Sequence, residues 1–115
     1  MLTEKDYCDY DTCVALKELG YDAPQRLLID YFGVYNEPQY DERIHLYDAQ
    51  KWLREERGML LQPTYLELSD EWICVIRDKK KRMAYSSQQK ASYEEALLEG
   101  IKEAIKILKE ESYGN

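Results

Sequence analysis

The sequence predicts an α+β domain: a small three-stranded antiparallel sheet packed by two to three helices, in α-β-β-β-α order over the C-terminal two-thirds. Three observations carry this reading. Apolar residues recur at three- and four-residue steps from Ala96 through Leu97, Ile101, Ala104 and Ile105 to Leu108, as on one face of a helix. Upstream, over residues 63–87, the apolar period shortens to two, as in strands. Two polar stretches, Ser69-Asp70-Glu71 and Lys79–Arg82, divide that region into three strands.

Taken in order, the first helix is expected over 10–19, with Asp9 as its N-cap and Gly20 as its stop. With that cap, Cys8 and Cys13 fall on the two positions of a hydrophobic staple, where apolar side chains meet across the first turn. Residues 26–35, "RLLIDYFGVY", are open to a strand or a short helix; their aromatic and branched content favours an extra strand, and 36–43 reads as a loop. The second helix is expected over 46–57, with His45 in the N-cap slot, Ala49, Trp52 and Leu53 on one face and Gly58 at its end. Pro63 fits a strand start or a sheet edge, which places the first strand there. "EWICVIRD", 71–78, is apolar through its middle and predicts a strand covered on both faces or otherwise shielded; "MAYSS", 83–87, predicts the third strand. The last helix, 93–111, opens on a capping box of Ser92 and Glu95. Gly100 lies within its apolar face, which implies close packing against a strand, since glycine costs about 1 kcal/mol of helix propensity relative to alanine.

The 115 residues suit one domain, 1–115, with a helix and an irregular or strand segment over 1–43 and the α-β-β-β-α unit over 44–111. The net charge of −7 is uneven: residues 1–60 carry 13 acids and 7 bases, residues 61–115 carry 10 and 9. Such a balance disfavours general attraction to a phosphate backbone. Eleven tyrosines against one phenylalanine suit half-buried rims, and an acidic, Tyr-rich surface for a protein partner is expected. Homo-oligomers are open. No apolar run approaches the ~18–20 residues of a membrane span, and the N-terminus has no apolar signal core, so a cytoplasmic protein is expected, with Cys8, Cys13 and Cys74 as free thiols.

Motifs of catalysis are absent from the sequence. No Gly-rich phosphate loop, nucleophile elbow or paired-acid pattern occurs, and a zinc site would need about four ligands, commonly in paired knuckles that Cys8 and Cys13 do not form. A non-enzymatic protein without catalytic residue, cofactor or metal is expected. The one candidate contact site is "RDKKKR": Arg77, Lys79, Lys80, Lys81 and Arg82 gather at a hairpin turn. They suit contact with nucleic-acid phosphates, although a soluble hairpin tip whose lysines discourage edge pairing is the favoured reading.

The α-β-β-β-α order resembles that of double-stranded RNA-binding domains. Those carry a basic cluster at the start of the last helix, where this chain has Ser92-Tyr93-Glu94-Glu95, so the resemblance extends to topology and not to RNA binding. "ASYEEALLEGIKEAI" is similar to the last helix of HicB-type antitoxins. More of the chain is covered by "YCDYDTCVALKELGYDAP", "LYDAQKWLREERG", "EWICVIRD" and "SYEEALLEGIKEAIKIL". In this order and spacing they resemble a family of small proteins found in phages and prophages of Bacteroidetes. That resemblance implies a phage- or mobile-element-derived accessory role and assigns no catalytic residue or cofactor. It also implies Thr or Ser where His45 stands, in keeping with helix capping.

Overall fold

A computed structural model describes residues 4–22, 26–28, 39–41 and 43–113. A short 3-10 turn (Glu4–Asp6) leads into helix α1 (Tyr10–Glu18). Two three-residue strands follow, β1 (Arg26–Leu28) and β2 (Gln39–Asp41), and then helix α2 (Leu46–Arg57). The meander is β3 (Met59–Leu66), β4 (Glu71–Asp78) and β5 (Met83–Ser86), and helix α3 (Tyr93–Tyr113) closes the chain. The three-stranded sheet has the order β3-β4-β5, antiparallel throughout. The α+β class and the α-β-β-β-α order are as expected from the sequence.

Local chemistry explains the helix ends. The Asp9 carboxylate accepts from the Thr12 amide at 3.3 Å and caps α1. At the other end Gly20, with φ +106°, lets the amides of Gly20 and Tyr21 return to the carbonyls of Lys17 and Leu16 at 3.0 Å each, a Schellman closure. Gly58 ends α2 in the left-handed region at φ +67°, and its carbonyl accepts from the Lys79 amide at 3.0 Å. That bond ties the end of α2 to the β4–β5 turn. Ser92 accepts from the Glu95 amide at 3.2 Å at the start of α3, the first half of the expected capping box.

One face of the sheet is the core face. It carries Met59 and Leu61 of β3 and Cys74, Ile76 and Asp78 of β4, all buried. α3 lies across β3 and β4, α2 packs on β3 and α3, and α1 packs on α3. One hydrophobic cluster joins Cys8, Cys13 and Leu16 to Leu53, Cys74, Leu97, Ile101 and Ala104. Fully burying a Leu or Ile side chain stabilises by about 1.5–3 kcal/mol, so this shared layer dominates the cohesion of the helices with the sheet. At Gly100 the approach is closest: a Cβ there would lie 2.2 Å from Cys74 Sγ and 2.8 Å from Cys74 Cβ. The expected close packing of Gly100 on a strand is thereby located at the centre of β4.

Several boundaries differ from the sequence reading. The first meander strand begins at Met59, directly after Gly58, and not at Pro63. Pro63 sits mid-strand opposite Cys74, at a position whose backbone faces the free edge, so no ladder bond is lost. The neighbouring edge carbonyl, that of Leu61, is taken by Gln50 Nε2 of α2 at 2.8 Å. Leu68, expected to alternate within the strand, lies fully exposed in the Glu67–Asp70 turn. β4 is shielded on one face only: Cys74 and Ile76 are buried, whereas Ile73 and Val75 opposite them are half-buried. The expected extra strand over 26–35 is described only at Arg26–Leu28, which pairs with Gln39–Asp41 as a separate two-stranded sheet. β2 thus replaces part of the loop expected over 36–43; residues 29–38 lie outside the described residues.

Candidate functional site

The segment that carries Cys8 and Cys13 is held to the chain just before α2. The Cys8 amide donates to the Ile44 carbonyl at 2.8 Å, and Tyr7 forms a β-bridge with His45. Both cysteines are free and buried, and Cys13 Sγ donates to the Cys8 carbonyl at 3.6 Å. With Asp9 as N-cap, both cysteines are thus buried at the two positions expected of a staple. Among the described residues no group of three or more His, Cys, Asp or Glu side chains is placed to hold a metal ion.

Above the two thiols opens a cleft of about 410 Å³, lined by Cys8, Asp9, Tyr10, Cys13, Val14, Lys17 and Arg43. Tyr10, Val14 and Lys17 follow the i, i+4, i+7 spacing of one α1 face. Tyr10 is 80% exposed and Val14 38% exposed, an apolar pair on a helix otherwise buried through Thr12, Cys13 and Leu16. The rim is rigid. The Arg43 guanidinium stands 4.1 Å over the Tyr7 ring, and that ring meets His45 edge-on at 4.5 Å. Asp9 is ion-paired with Lys102 of α3 at 3.5 Å. Burial raises its carboxyl, yet the Thr12 hydrogen bonds and the Lys102 charge outweigh that and hold it below the usual range. His45 occupies the N-cap position of α2 by its backbone, but its side chain makes no capping hydrogen bond. Its ring packs on Tyr7 instead, which corrects the capping role expected for that side chain.

Burial, with lesser contributions from Cys13 and Asp9, pushes the Cys8 thiol up to about 12, and burial pushes Cys74 up to about 11. Both are protonated at pH 8 and should resist an aromatic disulfide reagent until the protein is unfolded. The folded chain holds these protons more tightly than the unfolded chain, whose thiols titrate near 9.0. The associated stability is complete below pH 9 and is lost as pH rises through 11 and 12, by about 1.4 kcal/mol per pH unit for each thiol in that window. Urea midpoints at pH 8 and pH 10 measure the loss. Rapid stoichiometric labelling of the native protein at pH 8 would contradict the burial.

The structure separates the members of the basic stretch. Arg77 lies on the outer face of the sheet, opposite Leu60 and Ala84. Asp78 points inward and is 3% exposed. Its Oδ1 accepts from the amides of Lys80 and Lys81 at 3.0 and 3.3 Å, which shapes the turn from beneath. Lys81 reaches α3 and pairs with Glu111 at 3.0 Å, and the Glu111 carboxylate raises its pKa. Lys79, Lys80 and Arg82 remain on the exposed turn, with Arg82 at φ +53°. Asp78 was hidden from sequence reasoning because nothing local distinguishes it from its exposed neighbours; only the register of β4 turns it inward. The cleft on α1 was equally hidden. Its signal was the Tyr10–Val14 pair at helical spacing, but Arg43 joins it through the Tyr7–His45 bridge.

Comparison of the chain with protein-family models, curated proteins and solved structures returns no match. No described helix is long and apolar enough to cross a membrane.

Proposed function

We propose that this protein is a non-enzymatic binding module, acting through protein–protein contact in an accessory role of phage or mobile-element origin. The observation that carries the reading is the α1 cleft: an apolar floor of Cys8 and Cys13, two exposed apolar side chains at its lip, and Lys17 and Arg43 beside them. Tyrosine at such a lip offers a large contact area at little entropic cost. The partner is a protein segment that presents a branched or aromatic side chain to the floor and an acid to the basic side. The phage origin is supported by the sequence resemblance, and the gene neighbourhood tests it.

Binding is tested by comparing the wild-type chain with Tyr10→Ala and Val14→Glu as bait in cells that carry the gene. Both positions are exposed enough for the variants to retain the wild-type melting temperature and circular dichroism. The expected result is a partner retained by the wild type and lost at least tenfold in Val14→Glu, a change of about 1.4 kcal/mol or more. Equal retention by all three chains would overturn the reading.

A further inference from the structure

The face of the sheet opposite α3 has an ordered pattern of its own. Along β4 it reads Glu71, Ile73, Val75, Arg77, and β3 lays Leu66 beside Glu71 and Leu60 beside Arg77. The two central side chains are half-buried, while Cys74 and Ile76 on the other face are fully buried against α3. Among the described residues this leaves an apolar pair, Ile73 and Val75, partly exposed between Gln62 and Thr64 of β3 and Ser86 of β5, with an acid at one end and a base at the other. The ends are extended by the turns. Glu67 and Asp70 stand in the β3–β4 turn next to Glu71, and Lys79, Lys80 and Arg82 stand in the β4–β5 turn next to Arg77. Six residues of strand separate Glu71 from Arg77, about 20 Å, so the two do not neutralise each other within one chain.

Such a surface is complementary to itself under a two-fold axis. Glu71 and Arg77 are each three residues from Cys74, so an axis at that level, lying between the two faces parallel to the sheet and perpendicular to the strands, places β4 antiparallel to its copy. Ile73 then meets Val75 of the second copy, and Glu71 meets Arg77 at both ends. Face-packed sheets stand ~10 Å apart and cross at about 30°, which displaces the ends by only ~5 Å, within reach of an arginine. We propose that two copies of this chain pair face to face through this outer sheet surface, the basic turn of each copy resting over the acidic turn of the other. The basic stretch 77–82 then serves to fix the register of a symmetric pair.

The outer face of the three strands spans roughly 24 Å by 14 Å, about 340 Å² per copy, against about 800 Å² per partner in a standard stable interface. The pairing is therefore weak and concentration-dependent. It goes beyond the reading of the α1 cleft and does not rest on it, since Tyr10 and Val14 take no part in this face.

Sedimentation equilibrium over protein concentrations up to about 1 mM tests the proposal. The wild type is expected to form a reversible dimer that weakens as salt rises from about 50 to about 500 mM. Glu71→Arg and Arg77→Glu each turn two attractive pairs into repulsive ones and should raise the dissociation constant about tenfold. The double variant Glu71→Arg/Arg77→Glu restores both pairs and should return to within about threefold of wild type, a recovery that loss of folding cannot imitate. A wild type that stays monomeric over the whole range overturns the proposal, as does a double variant no better than the singles. Salt-sensitive binding of a nucleic-acid duplex of about 20 base pairs, lost in Arg77→Glu with sedimentation unchanged, would also overturn it by assigning the basic end to phosphates. Loss of the dimer with cleft binding intact, or the reverse, separates the two proposals.

Discussion

Replacing Gly100 by alanine is expected to destabilise the protein, although alanine is the better helix former by about 1 kcal/mol. The new methyl would be placed 2.2 Å from Cys74 Sγ and 2.8 Å from Cys74 Cβ, far inside ordinary contact. The thiol can rotate away, but the Cβ is fixed to β4, so α3 must lift from the sheet or the strand must bend. Overpacking of this kind costs about 1–3 kcal/mol, and the net loss should appear as a lower urea midpoint with an unchanged slope. Cys74→Ala in the same chain removes the sulfur and leaves the Cβ contact. The double variant should therefore recover part of the loss, with a favourable coupling of about 1 kcal/mol between the sites. Additive effects, or a Gly100→Ala variant more stable than wild type, would show that α3 does not lie on Cys74.

Leu16→Ala is expected to have the second large effect, about 2–4 kcal/mol. Leu16 is fully buried and belongs to the same cluster as Leu97, Ile101 and Cys74, so its removal leaves a cavity between α1 and α3. The surface pairs that also join these helices, Lys102–Asp9 at 3.5 Å and Lys109–Glu18 at 3.4 Å, are exposed and compensate little. Because the cluster runs from Cys8 to Leu108, the loss should lower a single cooperative transition. Two separate transitions, with only the first displaced, would mean that α1 folds apart from the α-β-β-β-α unit.

What the sequence made legible was local. Helix ends follow from a few atoms near one another in the chain, so Asp9, Gly20, Gly58 and Ser92 could be assigned from residue type and spacing. The staple of Cys8 and Cys13 and the close approach at Gly100 are of the same kind, each being a residue out of keeping with its element unless packing requires it. What was not legible depends on partners distant in the chain. Met59 begins β3 because α2 ends beside β4, and "MLLQP" has no alternation to announce a strand. Pro63 suggested a strand start; it is an edge residue whose strand was already under way. The basic stretch looked like one cluster, yet register sends Arg77 outward and Asp78 inward, and Lys81 finds Glu111 on α3. β2 carries only Gln39, Tyr40 and Asp41, too few for a period to show. The α1 cleft needed Arg43 brought beside α1 by the Tyr7–His45 bridge, a contact without a sequence signature.

The exposed tyrosines differ in the same way. Tyr47 on α2 and Tyr65 on β3 are both about half exposed, but Tyr65 already donates to Asp70 at 2.6 Å and meets the Trp72 ring at a tilt of 53°, 5.2 Å between centroids. Tyr10 stands out at 80% exposure beside a formed cleft. Whether that cleft is a contact surface is tested most directly by site-specific photo-crosslinking, with a benzophenone side chain at position 10 and, as control, at position 47. The predicted result is one recurrent adduct in the cell that carries the gene, formed from position 10, missing from position 47 and abolished by Val14→Glu. Identical adduct patterns from both positions, unchanged by Val14→Glu, would contradict it.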